Sequence, residues 1–226
     1  MPYKTFNAVL IGSGDREHPL KDSYACGTFS STAGSFVQNQ FYMLMDHPDA
    51  SPVPTPVLSG DTDPDVGLVD VTNGVSTKAL SGDVTTLTNV TGGVTKTSTR
   101  GWRFNFGQCE QSVNKPLTIG GVTYFGTNAP TSVTSACQAN IGIARGYAID
   151  FDTGNPVGAA RSAAFTGGGM PPSPVAGIVD VDGVKMPFII GGVDTDAANQ
   201  SALQGSKVTI EPTGARSRVF WYIQTD

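Results

Sequence analysis

The chain has 226 residues, enough for a sizeable hydrophobic core and too many for a miniprotein that depends on disulfides. Charged residues make up 15%, well below the roughly 25% of an ordinary soluble domain, while 28 glycines and 15 prolines point to turns rather than salt-bridged helices. A net charge of −5 with lysines and arginines scattered singly excludes a basic stripe for nucleic acid, and no apolar run reaches the roughly 20 residues of a bilayer span.

Taken in chain order, the start Met1-Pro2-Tyr3-Lys4-Thr5-Phe6 does not read as an export signal. Ala8-Val9-Leu10-Ile11, closed by Gly12-Ser13-Gly14, predicts a central strand that ends in a turn. An aromatic strand follows at Gln40-Phe41-Tyr42-Met43-Leu44-Met45-Asp46. Residues 47–99 are rich first in proline and then in Thr, Ser and Gly, with few apolar anchors, and predict a long loop insertion over the surface. The next strand is Gly101-Trp102-Arg103-Phe104-Asn105-Phe106.

Two hairpins are written into the second half. Pro116-Leu117-Thr118-Ile119 meets Val122-Thr123-Tyr124-Phe125 through Gly120-Gly121, and Pro174 to Asp180 meets Phe188-Ile189-Ile190 through Asp182-Gly183, both turn pairs that tolerate positive φ. Between them lies the aromatic strand Gly146-Tyr147-Ala148-Ile149-Asp150-Phe151-Asp152. Asp194 to Gly205, acidic at its start and closed by glycine, predicts one or two helical turns, and Arg218-Val219-Phe220-Trp221-Tyr222-Ile223-Gln224 a last aromatic strand. The core is expected from Val9, Ile11, Tyr42, Leu44, Tyr124, Phe125, Ile149, Phe151, Ile189, Trp221 and Ile223.

A unit of strand, turn, strand, loop and aromatic strand thus recurs, as in the blades of a propeller. The fold class expected is all-β: a partial, open or fragmentary β-propeller of about three to four blades with long loop insertions. A β-sandwich is the generic alternative.

Few residues carry recognisable chemistry. No GxSxG nucleophile elbow occurs, and Gly12-Ser13-Gly14-Asp15-Arg16-Glu17 and Gly167-Gly168-Gly169 lack the spacing of a phosphate cradle. Asp61, Asp63, Asp65 and Asp70 alternate acidic oxygens in the way a calcium loop does, and they are the candidate metal ligands. Against calcium, Pro64 stiffens the run, glycine falls one place late and no Glu closes it; a solvated acidic turn is the plainer reading. Of the three cysteines, Cys109 and Cys137 fall where neighbouring blade edges would bring them together, which pairs them in a disulfide and leaves Cys26 over. Arg16, Glu17 and His18 form either a hydrogen-bonded loop network or a partner contact.

The ordered series Ala8 to Leu20, Asn39 to Asp46, Leu68-Val69-Asp70-Val71-Thr72, Gly101 to Phe106, Pro116 to Pro130, Cys137 and Arg145 to Gly154 resembles PilY-type type IV pilus tip adhesins over nearly the whole chain. The resemblance implies the C-terminal, quinoprotein-like propeller portion of a longer exported protein, spanning 1–226, that promotes pilus assembly and mediates attachment without being an enzyme. It implies the pilus tip with its minor pilins, host or abiotic surfaces and the remainder of its own chain as partners. Periplasm, outer membrane and pilus tip are the implied locations. Family members carry their calcium loop upstream of the stretch matched here, which weakens the calcium reading of Asp61 to Asp70. Two alternatives come from other classes: a fragment of a quinoprotein-type dehydrogenase, suggested by Tyr147 to Gly154, and a secreted or phage carbohydrate-binding β protein, suggested by the Gly, Thr and aromatic content.

Overall fold

A computed structural model describes residues 6–18, 38–46, 67–81, 84–91, 94–98, 100–131 and 141–208. In chain order the strands are β1 (Asn7–Gly12), β2 (Gln40–Asp46), β3 (Val69–Asp70), β4 (Ser76–Ser81), β5 (Val84–Thr91), β6 (Val94–Ser98), β7 (Gly101–Asn105), β8 (Gln111–Ser112), β9 (Leu117–Ile119), β10 (Val122–Ala129), β11 (Ile143–Asp150), β12 (Ser162–Ala164), β13 (Val175–Val181), β14 (Val184–Ile190) and β15 (Gly205–Lys207). Among the described residues there is no helix, and the strands form several open sheets, none closed into a barrel.

The first sheet has the order β1-β2-β7-β3, antiparallel except for β3, which runs parallel to β7. The middle sheet has the order β12-β11-β10-β8, with β9 also paired to β10. Its β9–β10 hairpin closes through Gly120 at φ +61° and Gly121 at φ +85°, the two positive angles that a tight two-residue turn needs. A third sheet, β13-β14-β15, closes the same way through Asp182 at φ +54° and Gly183 at φ +79°, with the Gly183 amide donating to Asp180 at 2.8 Å.

The strand period of two decides what each sheet buries. On β10 and β11, Phe125, Tyr147 and Ile149 turn to the first sheet and join Phe41, Met43, Trp102 and Phe104 in one cluster. Val122, Tyr124, Ala144 and Ala148 turn the opposite way and meet Phe165, Val193 and Ala202 in another. The middle sheet is therefore covered on both faces, by the first sheet on one and by the segment leaving β14 on the other. Phe125 stacks at 4.0 Å and 8° on Phe41 and at 4.7 Å and 9° on Tyr147, so aromatic rings carry the contact between sheets.

On β1 and β2 the expected core faces are inverted. Phe41, Met43 and Met45 are buried and Leu10 packs against them, while Val9, Ile11 and Leu44 are 54, 52 and 41% exposed. A one-residue choice of parity flips every side chain; Phe41, with no polar tip, takes the inner face against Phe125, while the Tyr42 hydroxyl donates to Gln40. Phe125, Ile149 and Ile189 are buried as expected; Trp221 and Ile223, with the whole predicted strand 218–224, lie outside the described residues.

Two segments depart from the expected local structure. Within 47–99, read as loop, residues 76–81, 84–91 and 94–98 build the antiparallel meander β4-β5-β6. Leu87 plugs it into the aromatic cluster, the Ser76 amide donates to the Asn155 side-chain oxygen at 2.8 Å, and the Asn155 side-chain nitrogen donates to the Ser76 carbonyl at 2.8 Å. Residues 194–205, read as one or two helical turns, form no helix: the Ala197 amide donates to the Asp194 carbonyl and the Gln204 amide to that of Ser201 in isolated turns, and Gly205 opens β15. The Gln200 side chain takes carbonyls a helix would use, donating to that of Asp194 and to that of Ala197 at 2.9 Å, and it accepts from the Asp194 amide at 2.7 Å, while Asn199 sits at φ +57°.

The turn after β11 locks the sheets together. Asp150 accepts from the Thr153 amide at 2.8 Å and hydroxyl at 2.7 Å, and the Trp102 indole donates to the Phe151 carbonyl at 3.2 Å. Gly154 has φ +69°, and a Cβ there would lie 2.9 Å from both Trp102 Cδ2 and Val71 Cγ2. Gly154→Ala is expected to cost about 2 kcal/mol from its left-handed backbone and this close approach. A urea midpoint equal to that of the parent would show that the turn does not seat against Trp102.

Candidate functional site

The expected metal site does not come together among the described residues. Asp70 sits on β3, where Arg103 approaches it to 3.3 Å and the Thr72 amide donates to it at 2.8 Å. Asp61, Asp63 and Asp65 lie outside the described residues, among which no group of three or more His, Cys, Asp or Glu could hold a metal ion. Cys109 is disulfide-bonded, buried and held at φ +56°; both other cysteines, Cys26 and Cys137, lie outside the described residues.

Arg16, Glu17 and His18 follow Asp15 in a turn. The Glu17 and His18 amides each donate to Asp15 at 3.1 Å, the His18 ring lies 3.2 Å from its other oxygen, and the Asp15 amide donates to Gln111 at 2.7 Å. Desolvation opposes ionisation of Asp15, but the His18 and Glu17 hydrogen bonds outweigh it and hold the carboxyl below the usual carboxylate range. Of the loop network read from the sequence, the His18 ring and the Glu17 and His18 amides take part through Asp15, while the Arg16 and Glu17 side chains are exposed and bond nothing among the described residues.

A site that the sequence did not reveal lies on the other face of the middle sheet, where Tyr124 and Val122 of β10 and Ala148 of β11 face the segment between β14 and β15. A cleft of about 440 Å³ opens there, within the range of roughly 300–1,000 Å³ typical of small-ligand pockets. Its floor is apolar, from Val122, Ala148, Ile189 and Val193, and its rim is polar, from Asp194, Thr195, Asp196, Gln204, Ser206 and Lys207.

Each wall is fixed by local chemistry. Gly192 lets the end of β14 approach the Tyr124 ring, since a Cβ would stand 3.2 Å from Tyr124 Cδ1. The acidic rim is braced by buried Gln200, by the Asp196 amide donating to Asp194 at 3.0 Å, and by the Ala159 amide donating to Asp196 at 2.9 Å. Val157 and Gly158 close the far side, with Gly158 pressed so near Thr195 that a Cβ would meet its hydroxyl at 2.3 Å. β15 covers the edge of β14 from Phe188 to Ile190, and β9 and β11 occupy both edges of β10. Recognition in the cleft therefore falls to side chains.

Tyr124 is half-buried, and its hydroxyl has no hydrogen-bond partner among the described residues. Burial first, and the Asp194 carboxylate second, push its phenol above the ordinary tyrosine value, so it is a proton donor throughout the neutral range. The arrangement offers one phenolic donor, two carboxylate acceptors, short hydroxyls and one ammonium around an apolar floor. No single sequence motif carries it, because its residues come from three separated stretches, 122–124, 148–158 and 189–207. Comparison with family models, curated proteins and solved structures returns no match to this chain.

Proposed function

We propose that the chain is a propeller-type, non-enzymatic module of a PilY-type pilus tip protein, acting in pilus biogenesis and in attachment to surfaces as part of a longer exported protein. The observation that carries this reading is where the family-like residues fall. Ala8 to Ile11, Gln40 to Asp46, Gly101 to Asn105, Leu117 to Ala129 and Arg145 to Gly154 supply β1, β2, β7, the β9–β10 hairpin and β11 with its turn. These are the segments that stack the first sheet on the middle one.

Face-to-face packing of twisted antiparallel sheets, with a tight hairpin in each of the later ones, is compatible with successive blades. Apolar side chains left outward at the two outer sheets, Val9 and Ile11 on one and Val175 and Val179 on the other, fit further blades covering both. Minor pilins at the tip and a host or abiotic surface are the partners in this reading.

The test is to probe whole cells and the fraction sheared from their surface with an antibody against this chain, alongside an in-frame deletion. The expected result is a band in the sheared fraction, and loss of both surface pili and attachment in the deletion strain. A band confined to the cytoplasm, or unchanged piliation and attachment in the deletion strain, would overturn the proposal.

A further inference from the structure

The cleft between the middle sheet and the β14–β15 segment has a composition that selects among ligand classes. Strand addition by a peptide is disfavoured because the backbone edges of β10 and of the end of β14 are already paired. Asp194 and Asp196 against Lys207 alone disfavour phosphates, sulfates and acidic sugars. One ammonium among two carboxylates also leaves too little net charge for a site built on a cation. Apolar floor groups beside a ring of short polar side chains match an uncharged polyhydroxy ring, whose C–H faces meet apolar surface while its hydroxyls donate to carboxylates and accept from a phenol.

We propose that this cleft binds a neutral pyranoside of a surface glycan, with Tyr124 donating from its unpartnered hydroxyl and Asp194 and Asp196 accepting from ring hydroxyls. The inference rests on the adhesion reading for the source of its ligand, and it gives that reading a chemical target. Tyr124 faces the cleft from rigid sheet, and the acidic rim is braced by Gln200, so the donor and acceptors are held in place before the ligand arrives.

The test is saturation-transfer NMR on the full chain with methyl α-D-mannopyranoside, methyl β-D-galactopyranoside and N-acetylglucosamine as neutral probes, and glucuronic acid and glucosamine as charged ones. At least one neutral probe is expected to bind, and Tyr124→Phe and Asp194→Asn are each expected to weaken it by about tenfold. Val90→Ala, exposed on β5 away from the cleft, is the control that leaves binding unchanged, and near-ultraviolet circular dichroism checks that every variant keeps its packing. Absence of binding by all three neutral probes, preference for a charged one, or binding indifferent to both cleft variants would overturn the inference. The shear-fraction experiment reads location without any sugar, so a surface-located chain that binds no pyranoside removes this inference alone. A cytoplasmic chain that binds one removes the adhesion reading and leaves the cleft as a sugar site.

Discussion

Phe125→Ala is expected to cost about 3–5 kcal/mol of folding stability, the usual range for truncating a fully buried aromatic. Phe125 is wholly buried, and its ring lies between Phe41 at 4.0 Å and Tyr147 at 4.7 Å, with Phe106 at 6.0 Å. Its neighbours are themselves locked by stacking and by strand register, so they cannot collapse into the space and a cavity remains between two sheets. Against a net stability of roughly 5–15 kcal/mol for a natural domain, this is a large share. Urea unfolding with the Cys109 bridge kept oxidised measures it, with Val184→Ala expected within about 0.5 kcal/mol of the parent. A loss for Phe125→Ala below about 1 kcal/mol would mean that the first and middle sheets do not meet through this ring.

The second large effect is expected at Glu110. Its carboxylate is only 4% exposed, and it accepts from the Tyr147 hydroxyl at 2.8 Å, from the Gly107 amide at 2.9 Å and from the Thr127 hydroxyl. Three donors around one buried acid satisfy it without a close ion pair. Glu110→Ala strips all three donors of their acceptor at once and is expected to cost about 3 kcal/mol or more. Tyr147→Phe removes one donor and leaves two, for about 1 kcal/mol.

The same pair gives an alkaline signature. Burial first, then the Glu110 charge and its hydrogen bond, raise the Tyr147 phenol well above the ordinary tyrosine value. A phenol raised in the folded state keeps its stability contribution below the unfolded value, about 10, and loses it as the pH climbs beyond. Stability is expected to fall above that pH with a contribution from this group of up to about 1.36 kcal/mol per pH unit. Tyr147→Phe should flatten the decline by that share in urea titrations from neutral to alkaline pH. An alkaline profile identical in parent and variant would place Tyr147 outside the buried network.

Much of the strand framework was legible because its signals are local. Gly120-Gly121 and Asp182-Gly183 accept the positive φ that a two-residue hairpin turn needs, and the β-branched and aromatic runs beside them favour pairing. The inward face of β1 and β2 was not legible in the same way. Tyr42 and Leu44 are as apolar in pattern as Phe41 and Met43, and only contact with Phe125 across the sheets breaks the tie. β4 to β6 were hidden by their composition, because Thr satisfies strand propensity without an apolar pattern, while among the described residues Leu87 is the aliphatic that anchors the meander in the aromatic cluster. The acidic start and terminal glycine of 194–205 are helix punctuation, yet the Gln200 side-chain amide takes the Asp194 and Ala197 carbonyls that a helix would use. The cleft was invisible for a different reason: Tyr124 reads as core, and only the approach of a segment some seventy residues later turns it into a wall.

The hairpin β13–β14 stands apart from both buried clusters: Val175, Ile178 and Val184 are 62, 71 and 60% exposed, and Ile189 is its buried anchor. Opening its tip disturbs little packing, whereas opening β10 breaks contacts on two sides. The molecule is thus divided into a stiff centre and a compliant arm, and the arm ends at the strand that forms one side of the cleft. Strain applied to the arm would deform the cleft before it reached the aromatic centre, so a ligand seated there and a tug on the hairpin would each be felt by the other.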